Sequence, residues 1–107
     1  MDHISFDTRD ASGVRWLMVR GDIDMNTAGD FARALDEANG GSVAGVDLTH
    51  CGYLDSSAIA VMVRQRTAWG CSFPVLVPEG SFFRRLFDIT GVDSLFAIVA
   101  DPREVED

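Results

Sequence analysis

The chain has no long hydrophobic run. Its longest clean apolar stretch, residues 58–63, falls far short of the roughly 20 residues a membrane-spanning helix requires. Positive charge is also scarce, with nine basic residues against seventeen acidic ones and a net charge of −8. Such a surface repels phosphate backbones and anionic headgroups, so neither nucleic acid nor a membrane is an expected partner. Cysteine is limited to Cys51 and Cys71, too few for a zinc site or a disulfide framework. The helix expected between them, about 14 residues long, would separate them by roughly 20 Å. A disulfide needs Cα atoms within about 7 Å, so both thiols are expected to act as small buried or half-buried hydrophobes. The opening Met1-Asp2-His3-Ile4 is acidic and lacks a signal-peptide hydrophobic region, which predicts a cytoplasmic location. Repeats, low-complexity tracts and linkers are absent as well.

What is present suffices for a core: 47% of the 107 residues are hydrophobic, including seven Phe and two Trp. One domain over residues 1–107 is expected, with its core at about 3–100 and a short acidic tail. Ile4-Ser5-Phe6-Asp7 alternates, and residues 14–20 are rich in strand formers. The turn chemistry of residues 9–13 between them predicts an antiparallel hairpin. Thr27-Ala28-Gly29-Asp30 reads as a capping box opening a helix, with Phe31, Leu35 and Ala38 on one face and Asn39-Gly40-Gly41 as its stop. A strand is expected over 43–49, then a loop through Gly52, a helix from Ser56 to Trp69 stopped by Gly70, and a buried strand over 73–77. Ser81 should cap a further helix with a stripe of Phe82, Leu86 and Ile89, widened by Phe83 and Phe87 and closed by Gly91. Residues 96–100 make a last strand, and Pro102 opens a short tail helix. Strands joined by helical crossovers should be parallel, so the fold class is α/β: a mixed sheet that starts with a hairpin and carries helices. Trp16, Trp69 and Phe96 are assigned to core or edge packing, and Phe73-Pro74-Val75 is a candidate oligomerisation surface that leaves a homodimer open.

The informative segment is Asp47-Leu48-Thr49-His50-Cys51-Gly52-Tyr53-Leu54-Asp55-Ser56-Ser57-Ala58. Asp and Ser are strong N-cap residues, because their oxygens accept hydrogen bonds from the free N–H groups of a first helical turn. Capping explains one such residue, not three in a row. A helix N-terminus also favours an added anion. A phosphate on Ser56 would bring about −1.5 to −2 charges directly beside Asp55.

Three stretches in register resemble the STAS-domain family of anti-sigma factor antagonists. They are Gly21-Asp22-Ile23-Asp24-Met25-Asn26-Thr27-Ala28, then Val46-Asp47-Leu48-Thr49 leading into Tyr53-Leu54-Asp55-Ser56-Ser57-Ala58, and Arg84-Arg85-Leu86-Phe87-Asp88-Ile89-Thr90-Gly91. The resemblance implies a single STAS-like domain and a phospho-switch. Unphosphorylated, such a protein binds an anti-sigma factor that is itself a GHKL-type serine kinase and so frees a sigma factor. Phosphorylation, here at Ser56, breaks that complex, and a serine phosphatase restores it. The resemblance also implies that Gly21, Asp22, Asp24, Asn26 and Thr27 share the partner surface with Asp55, Ser57 and Ala58. Ala58 stands where the family often has Gly.

Competing chemistry finds little support. Asp22, Asp24 and Asn26 alternate like the start of a calcium loop, but Thr27 and Arg33 occupy the positions that need Gly and Glu. Hydrolysis by Ser56 would need a base. The chain offers only His3 and His50 and no G-x-S-x-G elbow, so no catalytic residue, metal or cofactor is expected. The alternative within the same fold is a non-switch STAS subunit or scaffold of a transport or signalling complex.

Overall fold

Strand formers on either side of a tight turn begin the computed structural model, which describes residues 4–38 and 44–105. β1 (Ile4–Ala11) and β2 (Val14–Ile23) pair antiparallel from Ile4↔Gly21 to Ala11↔Val14. Ser12 and Gly13 alone make the turn, with φ of 56° and 76°. Positive φ at both central residues is the hairpin turn whose twist matches its strands. The expected turn over 9–13 therefore narrows, because Arg9, Asp10 and Ala11 continue β1.

The remaining elements follow as α1 (Ala28–Ala38), β3 (Ala44–Asp47), β4 (Cys51–Leu54), α2 (Ser56–Trp69), β5 (Pro74–Leu76), α3 (Phe82–Thr90) and β6 (Ala97–Val99). Short 3-10 turns cover Val92–Ser94 and Pro102–Glu104. The sheet order is β1-β2-β3-β5-β6, with β4 also on β2, and every pair except the hairpin is parallel. The mixed α/β sheet expected from the sequence is thus present. The proposed helix stop at residues 39–41, the strand start at residue 43 and His3 lie outside the described residues.

One face of the sheet meets the helices: Leu17, Val19, Ile23, Val46 and Val75 pack with Phe31 and Leu35 of α1, Val61 and Met62 of α2, and Phe87 of α3. A smaller cluster of Val14, Trp16, Leu76 and Val99 forms separately. Gly45 permits this second cluster, since a Cβ there would lie 2.9 Å from the Trp16 ring. The Trp16 indole N–H donates to the Ala11 carbonyl at 3.2 Å, which fixes the ring over the glycine. Coverage on both sides explains why β3 is buried at all four positions despite its alternating sequence.

Several expectations need correction. The loop through Gly52 contains β4, paired parallel to β2 through Gly21↔Cys51, Asp22↔Tyr53 and Ile23↔Leu54, with an irregularity between Gly21 and Asp22. Along α3 the buried residue is Phe87, whereas Phe82 and Ile89 of the expected stripe are exposed. Phe73, Pro74 and Val75 are buried and offer no oligomerisation surface. Cys51 is buried as expected, but Cys71 is exposed, and both thiols are free.

Candidate functional site

Two parallel strands deliver the candidate site. β2 ends at Ile23 and β4 at Leu54, and these residues are register partners. Neighbouring strands run about 4.8 Å apart, so Asp24 and Asp55 leave the sheet side by side. The Asp55 N–H donates to the Ile23 carbonyl at 3.3 Å and ties the two exits together. Carboxyl ends of parallel strands are where open α/β sheets place their binding sites.

The first exit is a loop that closes on itself. Asp24 Oδ1 accepts from the backbone N–H groups of Asn26 at 2.8 Å and Thr27 at 3.1 Å. The Thr27 hydroxyl accepts from the Asp24 N–H at 2.9 Å and donates to the Asp22 carbonyl at 2.9 Å. Thr27 therefore braces the loop that precedes α1, where a capping box would have turned its hydroxyl to Asp30; Asp30 instead pairs with Arg33. The Asp22 carboxylate lies against β4, for a Cβ on Gly52 would meet its Oδ1 at 2.9 Å.

The second exit is the start of α2. Asp55 is its N-cap, with φ −128° and ψ −167°, and its carboxylate accepts from the Ser57 N–H at 2.8 Å. One carboxylate thus meets the capping need, which leaves Ser56 unexplained by capping. Ser56 is the first residue of the helix, it is exposed, and its hydroxyl has no hydrogen-bond partner among the described residues. The free N–H groups and the positive dipole end of a 14-residue helix begin at this hydroxyl. Cys51, at the start of β4, is buried; burial pushes its thiol up, and its S–H donates to the Tyr53 carbonyl at 3.1 Å.

The family model described as Mlab, STAS domain, matches residues 6–100. The chain belongs to the STAS domain family. An anti-sigma factor antagonist from Mycobacterium paratuberculosis superposes on this STAS domain with a TM-score of 0.77 at 24% identity, covering 92% of this chain and 87% of that one. The Thermotoga maritima protein TM1081 gives 0.72 at 20% identity, over 90% and 86%. The unphosphorylated anti-sigma factor antagonist SpoIIAA gives 0.65 at 13% identity, over 96% and 100%. The phosphorylated form of this Bacillus cell fate determinant gives 0.57 at 13%, over 92% and 95%. These likenesses speak for the fold. A search of curated protein sequences returns no significant match.

The residues singled out in the sequence divide by exposure. Ser56 and Asn26 are exposed, Gly21, Asp22, Asp24, Asp55 and Ser57 are half-buried, and Thr27 and Ala58 are buried. The last two present no surface: Thr27 shapes the loop, and the Ala58 methyl enters the main core. Sequence reasoning missed Met25 and Tyr53. They belong to the two exits and are 82% and 50% exposed, large apolar side chains left facing solvent beside the charged residues. No local pattern announces them, because exposure is set by the sheet ends that carry them. His50 is exposed. Among the described residues, no group of His, Cys, Asp and Glu is arranged to hold a metal ion, and no helix is long and apolar enough to cross a membrane.

Proposed function

We propose that this STAS domain is an anti-sigma factor antagonist, a binding protein and not an enzyme, that is switched by phosphorylation of Ser56. The observation that carries the reading is the exposed, unbonded Ser56 hydroxyl at the first position of α2, just past a cap already satisfied by Asp55. The partner is an anti-sigma factor that is a GHKL-type serine kinase; its ATP supplies the phosphoryl group. The Ser56 oxygen forms the new bond to the γ-phosphorus, the bond to ADP breaks, and the hydroxyl proton passes to a base of the kinase. A serine phosphatase reverses the modification by hydrolysis.

In the unmodified state Met25 and Tyr53 give the partner apolar contacts and the 21–27 loop gives polar ones. A phosphate adds about −1.5 to −2 charges beside Asp55, Asp22 and Asp24. A surface fitted to a neutral hydroxyl must then desolvate that charge without a counter-ion, which ejects the partner. Likeness to SpoIIAA, a protein known in both unphosphorylated and phosphorylated forms, supports the reading.

The test is incubation with ATP and the candidate kinase, then peptide mapping by mass spectrometry. Phosphate on Ser56 and its loss in Ser56→Ala are expected, with Ser56→Asp weakening the complex and Ser56→Ala retaining it. Phosphate on Ser57, or equal affinity of both variants, refutes the assignment. The family match itself shows only a STAS domain, which leaves a second reading, a non-switch STAS subunit or scaffold of a transport or signalling complex. Co-purification separates the two, with a kinase supporting the first and a transporter component the second.

A further inference from the structure

The two edges of the sheet are finished differently. β6 is three residues long, and the Ala100 N–H just beyond it is taken up by the Glu104 carboxylate at 3.1 Å. β1 is eight residues long, without proline or glycine, and its register with β2 runs unbroken from Ile4 to Ala11. Short length, prolines, bulges and covering groups guard an edge against pairing, and β1 has none of them. Charged side chains guard an edge too, but those of β1 are of both signs.

The two-residue turn makes Ala11 and Val14 a hydrogen-bonded pair. Alternation then turns the backbone groups of Ser5, Asp7 and Arg9 to β2 and those of Ile4, Phe6, Thr8 and Asp10 outward. The outward N–H and C=O groups have no hydrogen-bond partner among the described residues.

We propose that β1 is a self-association edge through which two copies of the chain pair antiparallel, about a two-fold axis at Thr8 normal to the sheet. Thr8 then exchanges both backbone bonds with Thr8 of the other copy, and Phe6 does the same with Asp10. Such an axis keeps like faces together. It sets Asp7 opposite Arg9 of the other copy, in the non-hydrogen-bonded positions where side chains approach most closely. Within one copy Arg9 lies 3.8 Å from Asp47 of β3, and Asp7 lies 3.8 Å from Arg20 of β2. Pairing therefore joins Asp47 and Arg9 of one copy to Asp7 and Arg20 of the other in a row of alternating sign, and the two-fold repeats that row.

The charge pattern selects both occupant and register. Read antiparallel, Asp7-Thr8-Arg9 is its own complement. An axis at Asp7 or Arg9 sets like charges face to face, and one at Phe6 leaves Asp7 opposite Ser5. Residues 4–20 carry Arg9, Arg15 and Arg20 against Asp7 and Asp10, so the net charge of −8 arises elsewhere in the chain and weighs least on this approach. A single strand pair flanked by exposed ion pairs makes a weak, reversible and salt-sensitive contact. β2 separates β1 from β4 and the start of α2, so the edge stands apart from Ser56.

Sedimentation velocity of the full chain from micromolar to millimolar concentration at low salt tests the proposal. A concentration-dependent shift from monomer to dimer is expected. Thr8→Pro removes an outward N–H, which an edge strand tolerates, and should abolish the shift. Asp7→Arg and Arg9→Asp should each weaken self-association about tenfold, while an equimolar mixture of the two should form a heterodimer. Circular dichroism checks that each variant is folded, since Arg9→Asp also gives up the contact with Asp47. Hydrogen exchange needs no variant: on concentration the Phe6, Thr8 and Asp10 amides should gain protection, whereas those of Asp7 and Arg9 are protected throughout. A chain monomeric at every concentration, a dimer that survives Thr8→Pro, folded charge variants that stay apart when mixed, or protection without this alternation overturns the proposal. So does a β1 edge that pairs only with a peptide of another protein.

Discussion

Replacing Asp55 separates the two things its carboxylate does at the head of α2. The side chain accepts the Ser57 N–H at 2.8 Å, and its charge sits at the positive end of the helix. Loss of an N-cap acceptor costs about 0.5–2 kcal/mol, and the charge–dipole contribution at an exposed helix start is about 0.3–1 kcal/mol. The backbone bonds at this position, from Asp55 N–H to the Ile23 carbonyl and from Ala58 N–H to the Asp55 carbonyl, do not use the side chain and persist. Asp55→Ala should therefore destabilise by about 1 kcal/mol, a fall in Tm of about 4–8 °C for a domain near this size. Asp55→Asn keeps an acceptor oxygen of equal capping rank and loses only the charge–dipole part, about 0.3–1 kcal/mol. Urea unfolding measures both, with an unchanged slope showing that only stability has moved. Asp55→Ala indistinguishable from wild type would refute the cap. Equal loss in Ala and Asn would assign the stabilisation to charge alone.

Two further expectations concern the packing. In Gly45→Ala the new methyl meets the Trp16 ring at 2.9 Å, and that ring is held by its bond to Ala11. Overpacking of about 1–3 kcal/mol outweighs the roughly 0.5–1 kcal/mol gained by removing a strand glycine, so net destabilisation and an altered Trp16 near-ultraviolet signal are expected. Wild-type stability would refute a fixed ring. With a thiol reagent, exposed Cys71 should react at once and buried Cys51 only on unfolding; equal rates would refute the burial. Because burial raises the Cys51 thiol above its ordinary 9.0, the folded state keeps that proton longer than the unfolded one. Its contribution to stability is full below pH 9.0 and falls as pH rises beyond, a loss that alkaline melts of Cys51→Ala should lack.

Local chemistry made much of this molecule legible. α2 and α3 were readable at both ends because Asp55 and Ser81 cap them and Gly70 and Gly91 stop them with φ of 71° and 77°. The hairpin was readable from its alternation. β4 was not, because Cys-Gly-Tyr-Leu is too short to show a period, and only its pairing to the distant β2 makes it a strand. On α3, apolar residues at 82, 83, 86, 87 and 89 spread over about 160° of the circumference, wider than the strip that can turn to the sheet. Periodicity therefore could not say that Phe87 faces inward and Phe82 outward; the sheet decides that. At the candidate site, the cap and hydroxyl at Asp55 and Ser56 were visible in the sequence. Burial of Thr27 and Ala58 and exposure of Met25 and Tyr53 depend on how the two strand ends meet.

The bond from Asp55 to Ile23 makes the 24–27 loop and the start of α2 hang from a single strand pair, β2 with β4, while β5 and β6 close the opposite edge of the sheet. Substitutions at that far edge can alter how firmly the domain holds together without redrawing what a partner meets. If the two strand ends are the surface proposed for the partner, robustness and partner choice are separately adjustable in this chain, and duplicated copies would change partners through a handful of substitutions there while sharing one frame.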